Sequence, residues 1–314
     1  MDVQGLFFGY FLLAPQKKVT RLPGRNPGAV QRMITGFGNL GRTSASSGCQ
    51  RLHRAGCGHT DGHSGLMLRG WRAAAQGITE MATPFLEVKD LHGWYGESHV
   101  LHGVNFHVDE GEVVTLLGRN GAGRTSTLRA IMGLIGARRG SIKVRGAETT
   151  GLATHRIARL GLGYCPEERG IFSSLSAEEN LMLPPQLGPG GMSVEQIYAM
   201  FPNLKERAGS QGTRLSGGEQ QMLAVARILR TGAKLLLLDE ISEGLAPVIV
   251  QKLAEMVTSL RRQGYTIVMV EQNFRFAAPL ADRFLVMEHG QVIQQFTQAE
   301  LPSRIERLHE YLGV

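Results

Sequence analysis

Residues 112 to 133 read EVVTLLGRNGAGRTSTLRAIMG, and this stretch decides the fold of the chain. An apolar strand is followed by a glycine-rich loop and then by a helix that begins near Arg124. The loop follows the template G-x-x-x-x-G-K-[ST], here Gly118-x-x-x-x-Gly123-Arg124-Thr125. Backbone N–H groups of such a loop converge on an anion, and the helix N-terminus adds partial positive charge. The stretch therefore predicts a phosphate-binding loop within an α/β fold.

Arg124 stands where the template has lysine. A lysine is a compact point charge, whereas a guanidinium is planar, wider and suited to bidentate contacts. One interpretation is a site that binds nucleotide weakly and turns over slowly. Another is that the loop adjusts around a working arginine, and a third is an ordinary glycine-rich turn. The strand before the loop and the helix after it favour the first two interpretations over the third.

Two further motifs lie downstream of the loop. Residues 215 to 221 read LSGGEQQ, and residues 235 to 240 read LLLLDE. The first motif is a small-residue turn that opens a helix, where N–H groups form an anion seat without a lysine. The second is a buried apolar strand that ends in two carboxylates, Asp239 and Glu240. Together with the loop, the two motifs indicate machinery for nucleotide hydrolysis.

These motifs make the chain similar to the ATP-binding subunits of ABC transporters, in which LSGGEQQ is the signature sequence. The local sequences CPEERGIFSSLSAEENL (165 to 181), DEISEGLAPVIV (239 to 250) and VEQN (270 to 273) resemble the branched-chain amino acid importers in particular. The resemblance covers residues 85 to 314. It implies an α/β P-loop NTPase fold, an ABC-type nucleotide-binding domain with a small helical insert at about 168 to 214.

The resemblance implies ATP and Mg²⁺ as ligands and assigns roles to residues of this chain. Thr125 and Asp239 are expected to hold the metal, Asp239 through water. Glu240 is the candidate that orients or deprotonates the attacking water, with Arg124 and Gln272 also in the catalytic set. The residues expected to contact nucleotide are Tyr95, Gly118, Arg119, Asn120, Gly121, Ala122, Gly123, Arg124, Thr125, Ser126, Glu167, Ser216, Gly217 and Gly218.

Several of these positions carry alternatives. Tyr95 matches the aromatic residue that stacks on adenine in the family, and Trp94 is the alternative. Glu167 stands where most members have a glutamine, and Gln272 stands at the position of the switch histidine. Both departures resemble those of the branched-chain subgroup, and neither residue can act toward the γ-phosphate as a histidine would. For each of these side chains, plain packing or an exposed polar surface is the competing interpretation.

The periodicity of apolar residues and the turn signals predict the secondary structure. Predicted strands are Leu86 to Lys89, Val100 to Val108, Glu112 to Leu117, Ser141 to Val144, Gly163 to Cys165, Leu235 to Leu238, Thr266 to Val270 and Phe284 to Met287. Predicted helices are Arg124 to Met132, His155 to Leu160, Glu178 to Leu181, Val194 to Phe201, Gly218 to Leu229, Pro247 to Arg262 and Arg304 to Leu312. They are expected to form a parallel-sheet nucleotide domain at 81 to 314.

Residues 1 to 80 differ from the rest of the chain. They hold ten Lys plus Arg against three Asp plus Glu, whereas the remainder has 24 of each. The net charge of +7 therefore belongs to this segment, so it gives no argument for nucleic-acid binding by the folded part. We interpret the segment as a disordered extension, or as upstream DNA read as protein with Met81 as the true start. An organellar transit peptide is the other possibility.

Cysteine and histidine residues suggest little metal chemistry. A cluster in the first eighty residues lacks the spacing of familiar zinc sites and is interpreted as coincidence: Cys49, His53, Cys57, His59 and His63. Cys165 lies in an apolar strand and is expected to be a packed, reduced thiol. The sequence also lacks a run of eighteen apolar residues, so a membrane pathway would have to come from another chain.

The implied function is an ATP-driven import subunit on the cytoplasmic face of the plasma membrane. The resemblance implies a head-to-tail dimer with a sister ATP-binding subunit, two membrane permeases and an extracytoplasmic solute-binding protein. Two other readings stay open: a soluble nucleotide-dependent clamp or regulator, and a non-hydrolysing subunit paired with an active sister. Clamps of the first kind usually carry tandem ATP domains or coiled coils, which this sequence lacks. Only Arg124 favours the second.

Overall fold

The larger sheet carries the phosphate-binding loop. The computed structural model describes residues 83 to 312, and its six-stranded sheet has the order β10-β9-β3-β8-β7-β6. The five strands from β9 to β6 run parallel, and β10 pairs antiparallel with β9. Its strands are β3 (Val113–Leu117), β6 (Leu162–Cys165), β7 (Leu235–Asp239), β8 (Thr266–Val270), β9 (Arg283–Glu288) and β10 (Gln291–Thr297). Residues of β3, β7 and β8 are buried throughout, which is typical of parallel strands covered on both faces.

A second sheet is antiparallel, which the expectation of a parallel-sheet nucleotide domain did not include. Its order is β2-β1-β4-β5, with β1 (Leu86–Tyr95), β2 (Ser98–Val108), β4 (Ala137–Val144) and β5 (Ala147–Glu148). Only residues 96 and 97 separate β1 from β2, and so short a connection permits only antiparallel pairing. The alternation of buried and exposed residues along β2 fits a sheet with one face on the core.

Nine helices are described between residues 83 and 312. They are α1 (Arg124–Ile131), α2 (Thr154–Ala158), α3 (Ala177–Met182), α4 (Val194–Met200), α5 (Pro202–Glu206), α6 (Gly217–Arg230), α7 (Pro247–Arg262), α8 (Phe274–Ala277) and α9 (Leu301–Leu312). Short α5, α8 and β5 and the polar edge strand β10 were not predicted from sequence. Most of β10 is exposed or half-exposed, so it lacks the apolar pattern of the inner strands. Between β6 and α6 the described chain forms only helices and turns, apart from one isolated bridge.

The buried apolar residues form three clusters. One packs α6 and α7 against β7 and β8, a second fills the space between the two sheets around α1, and a third lies beneath α9. Helix α7 begins with Pro247 and ends before Gly264, whose φ is 77°, as the sequence predicted. The carboxyl ends of β3, β7 and β8 meet at one edge, where ligands of such sheets usually bind.

Some expectations lie outside the described residues. These are the interpretation of residues 1 to 80 and the cysteine and histidine cluster from Cys49 to His63. Cys165 is buried and unpaired, as expected. Among the helices of residues 83 to 312, none combines the length and the apolar character needed to cross a bilayer.

Candidate functional site

The glycine-rich loop between β3 and α1 is packed closely against its neighbours at two of its glycines. A Cβ on Gly118 would lie 2.4 Å from the Met287 carbonyl oxygen, and one on Gly123 would lie 3.1 Å from the Cα of Gly290. Gly123 precedes α1 with φ of 101°, a left-handed conformation that favours glycine. The Gly290 N–H donates to the Ala122 carbonyl at 2.9 Å. The loop backbone is therefore fixed by β9 and by the turn that follows it.

Arg124 is buried beneath the loop with only 4% of its surface exposed. One guanidinium nitrogen, Nη2, donates to Glu240 Oε1 at 3.0 Å and to Asn120 Oδ1 at 3.2 Å. The other, Nη1, is buried and has no hydrogen-bond partner among the described residues. A buried donor without a partner costs on the order of 1–3 kcal/mol. The arginine thus joins the phosphate-binding loop to the end of β7 and keeps one donor free for an anion.

Asp239 is fully buried at the end of β7, and both of its carboxylate oxygens accept hydrogen bonds. The Thr125 hydroxyl donates to Oδ1 at 2.9 Å, and the Tyr164 hydroxyl donates to Oδ2 at 2.9 Å. Burial raises the pKa of Asp239, and the bonds from Tyr164 and Thr125 oppose that rise. A carboxylate beside a threonine hydroxyl is the hard oxygen donor set that Mg²⁺ prefers, so these residues fit a magnesium ion.

Glu240 has a strained backbone and an unusual acidity. Its φ is 48°, uncommon for a residue with a side chain, and its N–H donates to the Val270 carbonyl at 2.9 Å. Burial and then a hydrogen bond with Glu243 raise the pKa of Glu240 to about 8, although the charge of Arg124 opposes the rise. Carboxylate oxygens of Glu167, Glu240 and Glu243 lie within 4.8 Å of one another. This geometry suits a proton acceptor whose pKa lies close to neutrality.

A second buried carboxyl group, that of Glu271, lies next to the turn that follows β7. Glu271 follows β8 and is 1% exposed. It accepts from the Ser242 hydroxyl at 2.7 Å and from the Ser242 N–H at 3.3 Å. Burial raises the pKa of Glu271 to about 7, while the Ser242 bonds and the charge of Arg124 lower it. The next residue, Gln272, is exposed and lines an open groove of about 1150 Å³ together with Glu240 and Glu271.

The two aromatic candidates for adenine stacking differ in availability. The Trp94 ring stacks on His99, with centroids 4.3 Å apart and planes 9° from parallel. Tyr95 ends β1 and is 38% exposed. Because one face of Trp94 is already covered, Tyr95 is the better placed of the two to meet a base.

Ser216 caps its own helix at the signature motif. Its hydroxyl accepts from the Glu219 N–H at 3.3 Å, and the Glu219 carboxylate accepts from the Ser216 N–H at 2.7 Å. Such a capping box stabilises the helix start. Helix α6 begins at Gly217, one residue earlier than predicted, and a Cβ on Gly218 would lie 2.7 Å from Ile249. Ser216 is exposed, so the start of this helix faces outward, and in the phosphate-binding loop Arg119, Asn120 and Gly121 are exposed as well while Arg124 is buried.

Sequence reasoning missed four residues of the site: Tyr164, Ser242, Glu243 and Glu271. Tyr164 reaches Asp239 because β6 pairs with β7, a neighbourhood that one sequence does not reveal. Glu271 did leave a signal, since it is a charged residue directly after the apolar strand TIVMV, and buried charges need partners.

Comparisons with known proteins identify the family of the chain. The family model for ABC transporters matches residues 101–243. The high-affinity branched-chain amino acid transport ATP-binding protein BraG of Pseudomonas aeruginosa is 42% identical over 229 residues, covering 70% of this chain and 96% of that protein. The lipopolysaccharide export system ATP-binding protein LptB of Escherichia coli strain K12 is 33% identical and covers 74% of this chain and 98% of LptB.

Solved structures share the fold. A structure described as the ATP-binding subunit of an ABC transporter aligns with a TM-score of 0.62 and 28% identity, covering 73% of this chain and all of that one. A dimeric ATP-binding cassette with ADP and Pi aligns with a TM-score of 0.60 at 23% identity, which speaks for the fold alone. The α/β P-loop NTPase fold expected from the sequence is thereby confirmed. The chain belongs to the ATP-binding proteins of ABC transporters, a family whose ATP-binding domains are in general ATPases.

Proposed function

We propose that this chain is the ATP-hydrolysing subunit of an importer for branched-chain amino acids or a related small amphipathic solute. The observation that carries the proposal is its 42% identity to BraG over 96% of that protein. The similarity to LptB is lower, at 33%, and so favours the import relative over the export one. The solute itself would be bound by other chains, since the site described above is built for a nucleotide.

In the proposed reaction, the backbone N–H groups of the loop from Gly118 to Thr125 hold the phosphates of ATP, and Tyr95 stacks on the adenine. Thr125 and, through water, Asp239 would hold Mg²⁺, which would neutralise phosphate charge. Glu240 accepts the proton of the attacking water, a role for which a raised pKa is suited. Gln272 and Glu167 supply polar contacts near the γ-phosphate. Each of these assignments rests on the family resemblance, and the Thr125–Asp239 and Arg124–Glu240 contacts support those of Thr125, Asp239 and Glu240.

Arg124 sets a limit on that reaction. Its guanidinium pairs with Glu240 at 3.0 Å, so it engages the proposed base while it is expected to meet the phosphates as well. A carboxylate paired with a cation is a weaker proton acceptor, because the pair favours its charged form. We therefore propose slow turnover. The same ion pair favours the second candidate, a subunit that binds ATP but hydrolyses it weakly or not at all.

The proposed assembly places two such subunits head to tail. Ser216, Gly217 and Gly218 of one subunit would cap the γ-phosphate held by the loop of the other. The exposure of Ser216 supports this arrangement, since an outward helix N-terminus attracts anions. Membrane permeases are the direct partners, and an extracytoplasmic solute-binding protein is an indirect one. The subunit would then be peripheral, on the cytoplasmic face of the plasma membrane.

Two measurements test the proposal. Phosphate release by the purified chain with Mg²⁺ and ATP tests hydrolysis, with Asp239→Asn as the inactive control. Uptake of labelled leucine, isoleucine and valine by a Pseudomonas aeruginosa strain lacking BraG, supplied with this chain, tests the transport role. Restored uptake supports the importer. If this chain instead rescues growth of an Escherichia coli strain depleted of LptB and does not restore uptake, the importer proposal is wrong and an export role is supported.

A further inference from the structure

Glu271 is buried, yet nothing in the proposed reaction uses it. Its side chain meets the turn that follows β7, where Ser242 donates to it through both its hydroxyl at 2.7 Å and its backbone N–H at 3.3 Å. Ser242 is itself 4% exposed. Two donors from one residue, shielded from water, make a directional contact between the end of β8 and this turn.

The turn that Ser242 belongs to carries the strained residue Glu240. A side-chain-bearing residue at φ of 48° costs on the order of 1–3 kcal/mol and persists only where its surroundings fix it. Two contacts with β8 and its end provide that fixation: the Val270 carbonyl accepts from the Glu240 N–H, and Glu271 holds Ser242 two residues later. Both anchors come from consecutive residues. Releasing the second would let the turn relax and the Glu240 carboxylate move.

We infer that Glu271 is a positioning residue for Glu240, acting through Ser242. It touches neither nucleotide nor the attacking water, and its effect is to keep the Glu240 carboxylate at the end of the phosphate-binding loop. The inference rests on the proposed function, in which Glu240 is the base. Glu271 also directly precedes Gln272. The contact with Ser242 therefore fixes the spacing between Glu240 and Gln272, which both line the groove.

The raised pKa of Glu271 is consistent with this arrangement. Burial is the largest cause of the rise, and no ion pair neutralises the carboxyl group among the described residues. The charge of Arg124 and the hydrogen bonds from Ser242 act in the opposite direction. The group is therefore kept in the interior at an electrostatic cost that an amide of the same shape would avoid.

Four variants of the full-length chain test the inference, each in the native chain and with Arg124→Lys. Glu271→Gln is expected to lower kcat for ATP hydrolysis by about tenfold, with KM and the affinity for a fluorescent ATP analogue changed by less than about twofold. Ser242→Ala is expected to lower kcat in the same way but less. The double variant should be no slower than Glu271→Gln alone within about twofold, since both act through one contact. Glu271→Asp should recover part of the lost rate.

The matched control is Glu255→Gln, which removes an exposed carboxylate from α7 along the same groove and should leave kcat unchanged. An unchanged kcat in both Glu271→Gln and Ser242→Ala would overturn the inference. Loss of ATP affinity in proportion to kcat would overturn it too, since that pattern means general damage. If Glu271→Gln does not fold, Ser242→Ala decides alone.

The Glu240→Gln variant separates this inference from the proposed function. If Glu240→Gln abolishes hydrolysis while the Glu271 and Ser242 variants do not affect it, only the positioning role is wrong. If neither the native chain nor Arg124→Lys hydrolyses ATP, the proposed function fails and the inference fails with it.

Discussion

Two helix N-termini are proposed as anion seats, and their surroundings differ. The loop before α1 has an exposed tip at Arg119, Asn120 and Gly121, and beneath it the buried Arg124 pairs with Glu240. At the start of α6, Ser216 is exposed and forms a capping box with Glu219, and this helix does not directly follow a strand of the sheet. Both offer N–H groups to an anion, yet only the first has a buried donor, Arg124 Nη1, that awaits a partner. These differences support the proposal that the first seat holds a nucleotide and that the second completes a site on another chain.

The sharpest way to break this comparison is to remove the proposed base. We predict that Glu240→Gln, made together with Arg124→Lys, lowers hydrolysis by roughly 10²- to 10⁴-fold relative to Arg124→Lys alone. ATP would then persist between the two seats and hold two chains together. Light scattering with and without ATP measures the assembly. A monomer under both conditions would argue against two chains sharing one nucleotide site.

The next prediction concerns the cation of the first seat. Arg124→Lys removes the guanidinium nitrogen Nη2 that reaches both Glu240 and Asn120, so it frees the base and restores a compact charge. We expect turnover to rise at least about tenfold, a barrier change near 1.4 kcal/mol, and ATP to bind more tightly. Phosphate release and nucleotide titration are measured side by side on the two proteins. Equal rates would mean that the loop accommodates arginine and that slow turnover must be abandoned.

The third prediction concerns Glu240, the carboxylate of the ion pair with Arg124, and the pH dependence of the reaction. With the pKa of Glu240 raised to about 8, the group is mostly protonated at neutral pH and becomes a proton acceptor as pH rises. We expect kcat/KM to increase about fourfold between pH 7.5 and 9.0, because that ratio follows the free enzyme. Since Glu243 raises that pKa, Glu243→Gln should move the increase to lower pH. A flat profile in both proteins would contradict the assignment of Glu240.

Much of the site could be predicted from the sequence because its parts are local motifs. The loop at Gly118, the helix start at Ser216 and the carboxylates after LLLL each combine a turn with an adjacent strand or helix, and local patterns report such units well. The structure then joins Thr125 to Asp239 and Arg124 to Glu240, two pairs separated by more than a hundred residues. The template pointed to the first pair. The second depends on the guanidinium, for which the template has no counterpart.

What the sequence could not predict depends on strand neighbours. Tyr164 and Glu271 reach the site only because β6 and β8 flank β7 in the sheet. The strands of the smaller sheet also looked like members of the larger one, since a short apolar run has no feature that states its direction. Edge strand β10 was not predicted because its side chains are mostly polar, as an exposed edge allows.

The smallest expected effect concerns Ser216, which caps its own helix and is also proposed to contact the nucleotide of a second chain. Ser216→Ala removes the oxygen that accepts from the Glu219 N–H, which should lower the free energy of unfolding by about 1 kcal/mol. Ser193→Ala is a matched control, because Ser193 forms the same capping box at α4 with Gln196 at 3.2 Å. Thermal unfolding should therefore shift by about 2–4 °C in both variants. Only Ser216→Ala should also weaken the ATP-dependent assembly seen by light scattering. An equal loss of assembly in the two variants would mean that Ser216 acts as a helix cap alone, and the second seat would then have no demonstrated role beyond its own chain.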